Sequence, residues 1–207
     1  MIYLRKLEFD SLASDCSYNI REAVSKEILP ILKDNRDIII LCIGTDRSTG
    51  DSLGPLVGDK LKFLKRKGIY ILGNLEKPIH AKNLVETLAM INSTYKNPYI
   101  IAIDACLGSL PSVGNVIIDS KPLTPGAALN KDLPSVGNLS ITGVVNISGS
   151  LEFMVLQNTR LYVVMNLATV IANGIYHSII KTVGSREQCE NINIPVSKNE
   201  KDKLLKA

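Results

Sequence analysis

The chain has 207 residues, of which 45% are hydrophobic and 21% are charged, and its formal net charge is +4 at pH 7. This length and composition are typical of one large globular domain or two small ones with a real core, and they exclude an intrinsically disordered chain. The small positive charge by itself gives no basis for binding nucleic acid or an anionic membrane surface.

The first residues and the cysteines indicate a reduced, cytoplasmic protein. Residues 1–10 contain charged side chains and no apolar stretch, unlike a signal peptide. The four cysteines form no Cys-x-x-Cys pair, and two histidines give poor support for a Cys/His zinc cluster, so we predict no metal site and no cofactor. Cys42 and Cys106 lie in or beside apolar runs, and we expect both to be small buried hydrophobic side chains.

Helices and short apolar strands alternate over the first half of the chain. Residues 17–33 have helical apolar spacing, and Pro30 is expected to bend or end that helix. Residues 38–43 are apolar and rich in β-branched side chains, as in a strand buried on both faces. The next predicted elements are a helix over 52–67 ended by Gly68, a strand over 69–75, a helix over 81–95 and a strand over 99–104. This alternation predicts right-handed βαβ units and a parallel sheet.

The pattern changes after Gly108. Residues 115–120 and 138–146 are predicted to form strands with no helix between them, and the loop over 121–137 is long enough to suggest a functional role. One or two helices are predicted over residues 149–183.

These elements predict a single α/β domain over residues 1–207, with its core over about 17–183 and a loose tail over 184–207. The expected architecture has three layers around a mixed, mostly parallel sheet, as in phosphorylase/hydrolase-like folds. Residues 161–180 carry no charge and could span a bilayer by length, but their amides would each need a partner in lipid. We therefore predict an internal helix of a soluble domain and no membrane partner.

Polar side chains follow three of the predicted parallel strands, at the sheet edge where such folds bind ligands. They are Asp51, His80 and Asp104, and the last of these ends the apolar run Tyr99–Ile103. Each acid also has a structural explanation, because Asp104 could accept hydrogen bonds from backbone N–H groups and Asp51 could stabilise a helix start. Their shared edge favours a common site.

Residues 50–53 read Gly-Asp-Ser-Leu, the letters of a serine esterase motif. Ser52, however, lies nine positions beyond Ile43, and the late His177 has no aspartate near it in sequence. A serine needs a base to become a nucleophile, so we expect Ser52 to cap a helix and to take no part in catalysis. Residues 44–50 also lack the lysine and spacing of a phosphate-binding loop.

Several longer segments resemble known protein families. They cover most of residues 37–165 and read GTDRSTGDSLGP, EKPIHAKNL, AIDACLG, TPGAALNKDLPSVG, ITGVVNISG and LQNTRL. On these segments the chain resembles the YyaC-type sporulation proteins, the spore germination protease and, more loosely, the hydrogenase maturation endopeptidases. The resemblance implies a cytoplasmic endopeptidase of the forespore or spore core that acts on a protein or peptide substrate.

The resemblance also implies roles for individual residues. Asp51 and Asp104 fall on the two catalytic acids of the germination protease. If these acids hydrolyse a peptide bond, Thr45, Asp46 and the backbone N–H groups of the glycine loop are candidates for orienting its carbonyl. The maturation endopeptidases use the equivalent acids and a histidine to recognise nickel on their substrate. The later segment ITGVVNISG has no histidine, which leaves His80 as the candidate auxiliary residue.

Two carboxyl groups that share a site titrate as a pair, because the charge of one raises the pKa of the other. The ionised acid can then activate water while the protonated acid assists departure of the amine. Two functional classes stay open: an endopeptidase, and a non-catalytic relative that binds a protein partner during spore formation. The sequence also leaves a homo-oligomer open.

Overall fold

The computed structural model describes residues 6–125 and 133–184, in which six strands and five helices form. The strands are β1 (Leu7–Asp10), β2 (Ile38–Cys42), β3 (Ile69–Leu72), β4 (Tyr99–Gly108), β5 (Asn115–Asp119) and β6 (Leu139–Ile147). The helices are α1 (Cys16–Lys33), α2 (Leu53–Leu61), α3 (Leu84–Thr94), α4 (Glu152–Gln157) and α5 (Leu161–Val183). The middle of the predicted long loop and nearly all of the predicted tail lie outside the described residues.

All six strands form one sheet in the order β1-β5-β6-β4-β2-β3. β3, β2, β4 and β6 are parallel, whereas β5 is antiparallel to both β6 and β1. The predicted mixed, mostly parallel sheet is therefore confirmed, and so are two strands with no helix between them after Gly108.

Helices cover both faces of the sheet because its central strands are apolar on both faces. In β2, Ile38 and Ile40 pack with α1, α2 and α5 on one face. Ile39 and Leu41 pack with α3 on the other face. Every residue of β2 is buried, as a strand between two helical layers requires. The predicted three-layer α/β domain is confirmed.

α5 is a core helix with one buried stripe. Its buried apolar side chains recur at helical spacing and are Val164, Leu167, Ala168, Ile171, Ala172, Ile175 and Ile179. On its partly exposed side, the Asn166 side-chain amide donates to both the backbone oxygen and the hydroxyl of Ser11. Among the described residues α5 is the one helix long and apolar enough to cross a membrane, yet half of its most apolar stretch is buried within the domain. These contacts agree with the predicted internal helix.

Several element ends differ from the sequence prediction by a few residues, and α2 and β1 differ most. α2 ends at Leu61 and not at residue 67, because the chain turns back there so that Leu64 is buried and Gly68, at φ +74°, leads into β3. β1 was not predicted, since a four-residue strand with two acids has no strong apolar pattern. It forms at the sheet edge, where it pairs antiparallel with β5.

Candidate active site

The site lies at the carboxyl edge of the sheet between β2 and β4. The chain leaves β2 toward β3 through α2, and it crosses back from β3 to β4 through α3 on the opposite face. Connections that diverge from neighbouring parallel strands leave a crevice between them, where ligands bind in α/β folds. Asp51 follows β2, and Asp104 lies on β4 at this crevice.

The loop after β2 folds back, so that Asp51 lies over the end of β2. The Thr45 N–H donates to the Asp51 carbonyl at 3.0 Å, and the Gly44 N–H donates to the Ile79 carbonyl at 2.7 Å. Gly44 has φ +144°, and a Cβ there would collide with the Asp51 backbone and approach the Pro55 ring to 2.9 Å. A glycine at this position therefore allows the close approach that positions Asp51.

Asp104 lies where β4 extends beyond the end of β2. The last register pair between these strands is Cys42 with Ile103, whereas β4 continues beside β6 with Asp104 opposite Thr142. The Ala105 N–H donates to Asp104 Oδ1 at 2.8 Å, which is the type of backbone hydrogen bond expected of a strand-end acid. Burial raises the pKa of Asp104 to about 8, and the charge of Asp51 contributes in the same direction, against the opposing effect of that hydrogen bond.

A cavity of about 810 Å³ opens at this edge, and four of the five predicted site residues line it: Asp51, Asp104, Thr45 and His80. Asp46 is exposed and is not among the lining residues. The Thr45 hydroxyl accepts a hydrogen bond from the Arg47 N–H at 3.3 Å, so part of its role is to shape the loop. The catalytic and binding roles of these residues stay predictions.

The cavity also contains residues that the sequence did not single out. Cys106 lines it together with Thr142, and Glu152 and Phe153 reach it from α4. Cys106 is half-buried, so the expectation that it is a buried side chain was wrong, whereas Cys42 is buried as expected. Burial raises the pKa of the Cys106 thiol, and a hydrogen bond with Thr142 acts against that rise. Strand alternation could have revealed Cys106, because it lies two residues from Asp104 on the same face of β4.

Among the described residues, no group of three or more His, Cys, Asp and Glu side chains could hold a metal ion.

Residues 9–174 match the protein family described as "Protein of unknown function (DUF1256)". The chain belongs to this family. It is 50% identical over 159 residues to the Bacillus subtilis (strain 168) protein named "Uncharacterized protein YyaC". The aligned residues cover 74% of this chain and 78% of the relative. The predicted likeness to YyaC-type proteins is thus confirmed, while the relation to the germination protease stays a prediction.

A solved structure, the [NiFe] hydrogenase maturation protease HycI from Thermococcus kodakarensis KOD1, is 18% identical to the DUF1256 chain. The match covers 70% of this chain and 93% of that one, with a TM-score of 0.44. Likeness at this level does not carry an activity from one protein to the other.

Ser52 of the DUF1256 chain does not cap α2, and that prediction was wrong. A short 3₁₀ turn over Gly50–Ser52 runs directly into the helix, so Ser52 has helical backbone angles and its side chain makes no cap hydrogen bond. Its hydroxyl donates instead to the Thr49 carbonyl at 2.6 Å, and the residue is buried and absent from the cavity lining. This placement agrees with the rejection of a serine esterase.

We expect Ser52→Ala to lower the free energy of unfolding by about 1 kcal/mol, the net value of one intramolecular hydrogen bond. Any hydrolysis should be unchanged, because the side chain does not face the cavity. Chemical denaturation and an activity assay check the two halves of this expectation. Covalent labelling of Ser52 by an organophosphate, with activity lost in the alanine variant, would contradict it.

The raised pKa of Asp104 makes stability depend on pH. The unfolded chain loses this proton near the ordinary aspartate pKa of about 4, whereas the folded chain keeps it up to about 8. Between these values the folded state holds one more proton. The free energy of unfolding should therefore fall with rising pH, by up to about 1.4 kcal/mol per pH unit from this group alone.

The side-chain amide in Asp104→Asn is neutral at every pH. We therefore expect the free energy of unfolding of this variant to fall less steeply with rising pH than that of the wild type. Urea denaturation of both proteins below, within and above this pH range measures the difference. Parallel stability curves for the two proteins would contradict the assignment of the raised pKa to Asp104.

Proposed function

We propose that this DUF1256 chain is an endopeptidase that hydrolyses a peptide bond with Asp51 and Asp104. The observation that carries the proposal is one cavity lined by both Asp51 and Asp104, with the pKa of Asp104 raised to about 8. At neutral pH such a pair supplies an acid and a base together, as hydrolysis of an amide requires. The resemblance to sporulation proteins supports a spore or precursor protein as substrate, cleaved in the forespore or spore core.

The mechanism assigns a different proton to each acid. Ionised Asp51 takes a proton from a water molecule, whose oxygen attacks the carbonyl carbon and forms a tetrahedral intermediate. Protonated Asp104 gives its proton to the amide nitrogen, and the carbon–nitrogen bond then breaks to release the amine. The proton taken by Asp51 then passes to Asp104, directly or through solvent, which restores the starting pair.

Apolar side chains beside the cavity support a polypeptide substrate. Leu151, Phe153 and Met154 are 72%, 54% and 53% exposed, and they lie at or within α4. Phe153 also lines the cavity that contains the paired acids. Exposed apolar residues grouped next to a site are typical of surfaces that bind protein segments.

The same surface supports a second candidate function. A DUF1256 chain could use these apolar side chains to bind a protein partner in spore formation without cleaving it. The two functions differ in the role of Asp51 and Asp104, because binding a partner through Leu151, Phe153 and Met154 needs neither acid.

Purified protein incubated with proteins extracted from sporulating cells tests the proposal. We expect new peptide termini, identified by mass spectrometry, with the wild-type chain and none with the Asp51→Asn, Asp104→Asn double variant. Identical fragment patterns from the two proteins would remove the endopeptidase. Equal retention of one extract protein by both chains, without cleavage, would identify the binding function instead.

A further inference from the structure

We propose that His80 is a fixed, neutral hydrogen-bond donor whose Nε2–H binds the carbonyl oxygen of the peptide bond in the cavity. This inference rests on the proposed endopeptidase and adds the group that receives the charge developing on the substrate. Asp51 and Asp104 account for the proton transfers, but neither ionised Asp51 nor the proton given to the amine stabilises the carbonyl oxygen. An N–H group in the cavity wall supplies that stabilisation.

The backbone of His80 is held in place by the start of α3. Its N–H donates to Asn83 Oδ1 at 2.8 Å, and its carbonyl accepts the N–H groups of Asn83 and Leu84 at 3.1 and 3.0 Å. The Asn83 amide also donates to the Pro78 carbonyl at 3.1 Å. On the other side, the carbonyl of Ile79 accepts the Gly44 N–H, which ties His80 to the loop that carries Asp51. His80 is therefore fixed relative to the acids.

The surroundings of the ring decide which nitrogen carries the proton. His80 Nδ1 is buried and has no hydrogen-bond partner in the part of the chain that the structure describes. His80 lines the cavity while its Nδ1 is buried, so we infer that the ring meets the cavity with its Nε2 edge. A proton on Nδ1 would leave a buried N–H unpaired. The neutral ring therefore carries its proton on Nε2, toward the cavity.

A neutral donor suits this position. Nε2–H can donate to the carbonyl oxygen in the bound substrate and donate more strongly as that oxygen gains charge in the tetrahedral intermediate. Because Nδ1 has no acceptor beside it in the described structure, a proton there would stay unpaired, and the ring holds this one tautomer throughout the reaction. His80 then acts on the oxygen, while Asp51 and Asp104 act on the water and the nitrogen.

Three substitutions test the role of Nε2. The side-chain amide nitrogen of His80→Gln can occupy the place of Nε2, whereas that of His80→Asn reaches only the place of Nδ1. With a mixture of synthetic decapeptides as the probe, we expect His80→Gln to keep hydrolysis within about tenfold of the wild type. His80→Asn and His80→Ala should lose about 10²–10³-fold in kcat with little change in KM, as when one oxyanion donor is removed. Equal activity in all three variants, or higher activity in His80→Asn than in His80→Gln, would overturn the proposal.

Nuclear magnetic resonance of the ¹⁵N-labelled imidazoles tests the tautomer without any activity. The chain has two histidines, so His177→Gln assigns both sets of signals. His177 is exposed on α5 and serves as the control, since its loss should leave hydrolysis and the His80 signals unchanged. We expect a protonated Nε2 and a bare Nδ1 in His80 at neutral pH. A proton on Nδ1 would overturn the inference whether or not peptides are cleaved.

The two proposals fail in different ways. If the wild-type chain cleaves no peptide, the endopeptidase is removed, and retention of the same decapeptides then decides the role of His80. Retention by the wild type and His80→Gln but not by His80→Asn would keep the donor role for a bound carbonyl. Equal retention by all variants would remove it.

Discussion

Asp51→Asn should lower the rate of peptide hydrolysis by about 10²–10⁴-fold and leave the fold intact. The amide has nearly the shape of the carboxylate and keeps an oxygen that accepts hydrogen bonds, but it cannot take a proton from water. The loop should keep its conformation, because the Thr45 N–H donates to the backbone carbonyl of Asp51 and not to its side chain. Initial rates with the decapeptide mixture and the circular dichroism spectrum measure the two parts of this expectation.

Asp34→Asn is the matched control. Asp34 is an exposed aspartate at the end of α1, before β2, and therefore lies at the opposite edge of the sheet from the cavity. We expect its activity to equal that of the wild type. Hydrolysis that survives in Asp51→Asn, or that is lost equally in Asp34→Asn, would show that Asp51 is not the base.

Gly54→Ala should destabilise the domain by about 1–3 kcal/mol or more, the usual cost of forcing extra atoms into a packed interior. Gly54 is buried in the first turn of α2, where a Cβ would collide with the backbone of Ile43, the residue directly after β2. Backbone atoms cannot change rotamer to make room, so the start of α2 must move away from the sheet. The same movement would displace Asp51, and we expect hydrolysis to fall with stability.

Gly149→Ala provides the comparison for this experiment. A Cβ at Gly149 would meet nothing within 4 Å, so the free energy of unfolding should stay within about 0.5 kcal/mol of the wild type. Urea midpoints of the two variants measure the difference. Equal midpoints would mean that α2 can move away from β2 without loss of stability. The close contact with Ile43 would then not require Gly54.

The fold could be predicted from the sequence because its main elements have strong local patterns. A run such as Ile38–Cys42 is apolar at every position, and only a strand covered on both faces buries all of these side chains. The alternation of such runs with amphipathic segments then requires parallel strands joined by helices. Asp51, Asp104 and His80 could be assigned to one edge for the same reason, since each follows or ends a parallel strand.

The sequence could not predict features that depend on contacts between distant segments. β1 has a weak pattern of its own and forms only because β5 offers an open edge. Ser52 makes a different hydrogen bond from the expected one because a 3₁₀ turn precedes α2. Glu152 and Phe153 reach the cavity because α4 packs beside the loop after β2, which no local pattern records.

Local sequence patterns are enough to predict the layers of the domain, the direction of most strands and the presence of two acids at one edge. The protonation of Asp104 and of His80 depends on how distant segments pack together. Burial and the charge of Asp51 raise the pKa of Asp104 to about 8, and burial of Nδ1 directs the proton of His80 toward the cavity. Both effects arise from the removal of water around a polar atom, and that depends on atoms brought together from every part of the fold.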